Sequence, residues 1–265
     1  MRERSGKTPI ILLSLRGMLN ISLSAEKVFS LGSFPVTNAL LMAFLVLVFI
    51  AIIAVIVKSK LKVIPGMLQN VVEVMLEGAL GLMDSVLGSR KESEKYFPLV
   101  FTIFIFILIS NWSGLIPGVG SITVGQGASA VPLLRSPASD LNLTLALALI
   151  AVTMINVFAV SIVGLHARIS VFFNFSSPIK FFVGILELLS EFARIISFTF
   201  RLFGNVFAGE VLLAIMALLV PYLVPLPFMF LEVFVGFIQA FIFGMLTLVF
   251  VALAITPHEG EEAGH

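Results

Sequence analysis

The chain has 265 residues, of which 59% are hydrophobic and 12% charged, and its mean hydropathy is +1.15. Soluble domains carry about 25% charged residues, so the composition excludes an ordinary soluble fold and suits a polytopic membrane protein of about five or six helical spans. A net charge of +1 carries no nucleic-acid signal, and the lack of cysteine excludes disulfides, thiol catalysis and thiolate metal sites.

Arg2, Arg4 and Lys7 precede a short apolar run, Ile10 to Leu15, which Arg16 closes. That pattern fits a targeting segment and a plain polar extension equally, and residues 1–33 are read as an N-terminal extension. Ala39 to Val57 is uninterrupted apolar sequence, long enough to cross the hydrocarbon core. Lys58, Lys60 and Lys62 end it. From residue 64 to 87 the pattern changes: Ile64, Leu68, Val71, Met75, Ala79 and Leu82 recur at three- or four-residue spacing, interrupted by Glu73, Glu77 and Asp84. This predicts an amphipathic helix with Pro65 at an early position. It lies on the membrane surface or packs on protein.

Arg90, Lys91 and Lys95 precede a second crossing, Phe97 to Ile116. Pro117 to Ala138, rich in Gly, Ser and Pro, reads as a loop. Asp140 is placed to cap a third crossing that runs to Leu165. His166, Arg168 and Lys180 flank the next connection. A long helix from Pro178 to Leu219 is ended by Pro221, Pro225 and Pro227, which lack donors and clash with a continuing helix. A last crossing, Phe228 to Ile255, precedes a polar tail, residues 257–265. Residues 34–256 thus read as a single membrane domain. The fold class is an all-α integral membrane protein with about five crossings and one amphipathic surface helix, its last two crossings forming a long charged hairpin.

Basic residues set the orientation. Lys58, Lys60, Lys62, Arg90, Lys91, Lys95, Arg168 and Lys180 fall on one side, and Lys27 and Arg135 on the other. The first side is expected to be cytoplasmic, with the N-terminus outside and the C-terminus inside.

The hairpin holds nearly all the intramembrane charge. Arg201 stands out, because a guanidinium in hydrocarbon costs roughly 2.5–3.5 kcal/mol on insertion scales and cannot shed its proton. Lys180, Glu187, Arg194 and Arg201 are spaced by seven and share a helix face. Glu187 and Glu191 are each within reach of Arg194, whereas they could also simply snorkel near the cytoplasmic end. Arg201 has no carboxylate three or four residues away, and Asn205 reads as its polar neighbour, so its counter-charge is expected from another helix or subunit. Glu210 lies roughly 13 Å further along the helix. In an antiparallel hairpin Glu232 comes near Glu210, and Gln239 nearer the depth of Arg201. Two carboxyl groups at one depth suggest a polar cavity suited to proton exchange. Asp140 reads as a helix cap, and His166, His258 and His265 as solvated, with no metal-ligand constellation among them.

Arg201-Leu-Phe-Gly-Asn205-Val-Phe-Ala-Gly-Glu210 closely resembles the signature of subunit a of F-type ATP synthases, the stationary membrane subunit beside a rotating c-ring. The likeness extends through Pro137-Ala-Ser-Asp140-Leu-Asn142-Leu-Thr144 and Ile238-Gln239-Ala-Phe-Ile-Phe243, and over most of the chain. It implies a proton-translocating, non-catalytic F0 subunit without cofactor, whose hairpin packs on the c-ring. Peripheral-stalk b subunits and, indirectly, the F1 sector are the other implied partners, in an energy-coupling membrane such as a bacterial inner membrane. The resemblance puts Arg201 between two offset aqueous half-channels. It sets Asn205, Glu210, Glu232 and Gln239 at the arginine and outer channel, and Glu187, Glu191, Arg194 and Ser197 near the inner one. Asp140 and Asn142 are outer-loop candidates. Many members pair Glu with His at the positions of Glu210 and Glu232, but here both are Glu, which excludes a histidine relay. The Trp112-Ser-Gly114 segment lacks an acid found there in some members.

An alternative is a stand-alone ion or anion transporter whose Arg201 binds substrate. The lack of an inverted repeat of broken helices disfavours it. A membrane-embedded enzyme finds no nucleophile-and-base pair, metal motif or phosphate loop to support it.

Overall fold

A computed structural model describes residues 25–59, 61–116, 118–119, 122–125, 131–172, 177–220 and 223–255. The tail with His258 and His265, and the basic segment ending at Arg16, lie outside the described residues, as do Lys60, Pro117 and Pro221. Five described helices are long and apolar enough to cross a membrane.

The described chain opens with a β-hairpin, β1 (Lys27–Leu31) and β2 (Phe34–Thr37), which the sequence reading did not anticipate. Its turn uses Gly32 at φ 61°, in the left-handed region. Helix α1 (Asn38–Ser59) follows directly. Asn38 is fully buried; its Oδ1 accepts from the Ala39 and Glu26 amides, while its Nδ2 donates to Pro132 O at 3.2 Å. One amide thus ties the helix start to both the hairpin and the loop before the third crossing.

The amphipathic helix α2 runs Met67–Leu87. Pro65 precedes it instead of occupying its first turn, and Gly66 is the cap residue. Met83 is buried against Tyr96, Val100 and Leu248, so one face packs on protein, while Met67, Val71 and Val74 stay exposed. Helix α3 (Arg90–Ser113) starts earlier than the basic residues suggested. Ser89 Oγ accepts from the Glu92 amide at the start. Arg90 joins Glu77 at 2.6 Å, Asp84 at 3.1 Å and Glu94 at 3.4 Å, so it serves as the corner between α2 and α3.

The segment read as a loop contains a short antiparallel pair, β3 (Thr123–Val124) with β4 (Val131–Pro132), and a 3-10 turn at Pro137–Ser139. Asp140 caps α4 (Leu141–Val163), its carboxylate accepting from the Asn142 amide at 3.0 Å. The next connection is itself partly helical: α5 spans Leu165–Phe172 after Gly164 at φ 90°. Helix α6 (Pro178–Leu219) has 42 residues and α7 (Pro225–Ile255) has 31. At 1.5 Å per residue α6 is about 63 Å long, twice the hydrocarbon thickness, which a helix accommodates by tilting or by extending past the core. Pro225 and Pro227 do not precede the last crossing; they form its first turn, where a missing N–H costs nothing because it has no intrahelical acceptor.

The core joins α3, α4, α6 and α7. Phe198 of α6 stacks on Phe243 of α7 with ring centroids 4.5 Å apart, surrounded by Ile103, Ile107, Ala148, Ala151, Leu202 and Ala240. Small residues allow close approach of the helices: a Cβ at Gly236 would stand 3.1 Å from the Asn111 Cβ. This packing holds α6 and α7 side by side and sets the depth of their polar residues.

Candidate ion-translocation site

Two cavities with polar side chains in their walls lie along the hairpin, named outer and inner after the sides expected from the basic residues. The outer cavity is small, about 40 Å³, and is lined by Asn205 and Glu210 from α6, Glu232 and Gln239 from α7, Asn111 from α3, and Ser136 from the preceding loop. A space of that size holds a water or a few, given the polar lining. The inner cavity is a wider groove of about 350 Å³, lined by Ser190, Arg194, Ser197 and Arg201 with Phe198, Leu246 and Phe250. Arg201 belongs to the inner groove and Asn205, four residues on, to the outer cavity.

Glu210 and Glu232 are neighbours because of a glycine. A Cβ at Gly209 would collide with the Glu232 carboxyl group, so that carboxylate rests on bare α6 backbone beside Glu210. Glu210 also has a partner that sequence spacing could not supply: Arg135 Nη2 is 3.2 Å from its Oε2. Arg135 in turn donates from Nε to Ser139 Oγ at 3.0 Å. Asn111 donates to Gly236 O at 2.9 Å, Trp112 Nε1 donates to Val233 O at 3.0 Å, and Ser136 Oγ donates to Ser110 O at 3.1 Å. These bonds fix the outer wall and leave Asn111 Oδ1 buried without a hydrogen-bond partner among the described residues. Asn111, Arg135 and Ser136 are not site candidates from sequence, since nothing in their spacing relates them to the hairpin.

Arg201 has no ion pair among the described residues. Its Nη2 donates to Ser197 Oγ at 3.2 Å, and its Nη1 is buried without a hydrogen-bond partner. The hydrogen bond thus goes to Ser197, four residues earlier on the same face, while Asn205, the expected polar neighbour, stands four residues later and lines the other cavity. That relation was open to inspection in the sequence.

Arg194 pairs with Glu191 at 3.1 Å rather than with Glu187, and its guanidinium lies 4.0 Å from the centre of the Phe250 ring. Glu191 is almost fully buried and receives a second arginine, Arg168 of α5, at 3.0 Å. Glu187 is half-buried and is not among the residues lining the groove. Asp140 is engaged as the α4 cap, Asn142 is exposed, and neither lines the outer cavity. His166 is exposed, and no group of three or more potential metal ligands occurs among the described residues.

A family model described as ATP synthase A chain matches residues 39–252. The chain belongs to that family. ATP synthase subunit a of Moorella thermoacetica is 33% identical to it over 232 residues, covering 88% of this chain and 97% of the relative. The subunit a of Campylobacter concisus is 38% identical over 220 residues, covering 81% and 89% respectively. That of Campylobacter jejuni is 35% identical over 219 residues, covering 82% and 89%. With its apolar helices, the family makes the chain an integral membrane protein and places it in an ATP synthase complex.

Proposed function

We propose that the chain is the stationary proton-conducting subunit of the F0 sector, with the two cavities as offset half-channels and Arg201 as the charge between them. The observation that carries this reading is Arg201, unpaired with any described carboxylate, in the wall of one cavity, with Asn205 four residues further along α6 in the wall of the other. A carboxyl group on a rotor subunit is neutral while it faces lipid, because a bare charge there is costly. Beside Arg201 the opposite charge favours its ionised form. Its proton leaves along Ser197, Ser190 and the inner groove. Another enters from the far side through Glu232, Glu210, Gln239 and Asn205, and neutralises the carboxyl before it returns to lipid. The guanidinium also repels any proton crossing directly from one cavity to the other. Each proton moving through 100 mV releases about 2.3 kcal/mol, available to turn the ring. The chain itself performs no bond chemistry. Its partners are the c-ring, the peripheral-stalk b subunits and, through them, the F1 sector. The membrane is an energy-coupling one, bacterial inner membrane in type, with the C-terminus cytoplasmic.

The test is Arg201→Ala and Arg201→Lys in the assembled complex in vesicles. Proton-driven ATP synthesis falls to background in the first. It stays severely impaired in the second, because a compact ammonium can deprotonate when buried and lacks the planar fork. Normal synthesis with Arg201→Ala, or purification of the chain without c-ring and stalk subunits, overturns the proposal.

A further inference from the structure

The inner groove has a support that lies outside the hairpin. Helix α5 approaches α6 so closely that a Cβ at Gly184 would stand 2.5 Å from Phe172 O and 3.0 Å from Val171 O. From this docked helix Arg168 reaches two acceptors. Its Nε and Nη2 donate to Asn156 Oδ1 of α4 at 3.2 and 2.9 Å, and Nη2 also donates to Glu191 Oε1 at 3.0 Å. Asn156 Nδ2 donates to Val152 O at 3.0 Å and to Glu191 Oε2 at 3.4 Å. Both oxygens of Glu191 are therefore held from α4 and α5, and the same Oε1 accepts from Arg194.

We propose that Asn156 and Arg168 are positioning residues for proton passage at the inner mouth, acting through Glu191 to hold Arg194 against Phe250 at the wall of the groove. The inference rests on the reading of that groove as a proton route. Arg194 has a long, flexible side chain and stands seven residues from Arg201 on the same face. Left to pair with Glu191 alone, the two would move as a unit on one helix, and Ser190 and Ser197, four residues before and three after Arg194, share the groove with the guanidinium. A guanidinium lying across Ser190 and Ser197 would block the route and add a second barrier to a departing proton. With Glu191 anchored to α4 and α5, Arg194 is kept on the ring face, where cation–π attraction adds to the ion pair.

The chain has no cysteine, so Ser190→Cys supplies its only thiol and reports on access to the groove in the assembled complex. A small membrane-impermeant methanethiosulfonate reagent is added on the side faced by Lys58, Arg90 and Lys180, and modification is followed by the mass of this subunit and by loss of proton pumping. Combining Ser190→Cys with Asn156→Ala, which changes no charge, is expected to slow modification roughly tenfold, the factor equivalent to one lost hydrogen bond to a charged group. Arg168→Lys keeps the charge but not the fork and slows it less, and it serves as the test if the alanine variant does not assemble. A thiol introduced by Leu213→Cys in the outer cavity, with the same reagent added on the opposite side, keeps its rate in both backgrounds, which separates local positioning from general loosening. Unchanged or faster modification at position 190, or equal slowing at 190 and 213, overturns the proposal while leaving the route intact. No reaction at position 190 without the other changes, or reaction that leaves pumping unaffected, overturns the proton-route reading itself.

Discussion

The two mouths of the hairpin are built on the same plan and end with opposite chemistry. Each centres on a glutamate of α6 held by an arginine from outside the hairpin: Glu210 by Arg135 and Glu191 by Arg168. At the inner mouth the acid is saturated, with two arginines and an asparagine on one buried carboxylate, so the groove is left with excess positive charge. At the outer mouth the second acid, Glu232, adds negative charge beside the Glu210–Arg135 pair. The difference teaches that two ends of one hairpin can carry the same acid–arginine pairing and yet differ in how fully the acid is compensated. On the proposed function, the under-compensated pair of carboxyl groups is the end that collects protons, and the over-compensated one the end that repels them.

Variants that equalise the two ends are the sharpest way to break this contrast. Glu210→Gln removes the charge that faces Arg135 and an exchangeable acid, so proton entry slows by about tenfold, a barrier change of ~1.4 kcal/mol. Passive proton flux through the complex after removal of F1 measures it, and unchanged flux in fully assembled complexes would remove Glu210 from the route. A smaller effect is expected from Gly209→Ala. The three atoms nearest the added methyl group all belong to the flexible end of Glu232, so the carboxylate moves and the helices stay together. Flux is then reduced by less than tenfold, while the melting temperature holds or rises, because alanine favours a helix by up to about 1 kcal/mol over glycine. A marked fall in melting temperature would show that the contact is structural. The smallest effect on transport belongs to Asp140→Ala, which removes a cap worth about 1 kcal/mol. Thermal stability should fall while flux stays normal, and a flux defect without a stability change would return Asp140 to the route.

The same contrast marks what could be read from the chain and what could not. Periodicity and apolar length carried the long apolar helices, the amphipathic helix and the hairpin, because those depend on local pattern. Ser197 was equally local, four residues from Arg201, and the resemblance put it near the inner channel, but its bond to the arginine was not read from the spacing. The arginines that decide each mouth are another matter. Arg135 lies 75 residues from Glu210 and Arg168 lies 23 from Glu191, and no helical spacing relates such pairs. Helix α5 is short and weakly patterned, and its place is set by docking at Gly184. The start of α7 at Pro225 was misjudged because proline ends one helix and opens another with the same chemistry.

Helix α6 is continuous from Pro178 to Leu219, with no proline after its first residue. Arg194, Arg201 and Glu210 therefore ride on one rod, and the roughly 24 Å between the first and last of them is fixed by counting residues. Side-chain changes along this rod leave its gauge untouched, but one inserted residue would swing everything beyond it through about 100°. Such an insertion would carry the remaining carboxylate away from its opening even if every amino acid of the original set were still present.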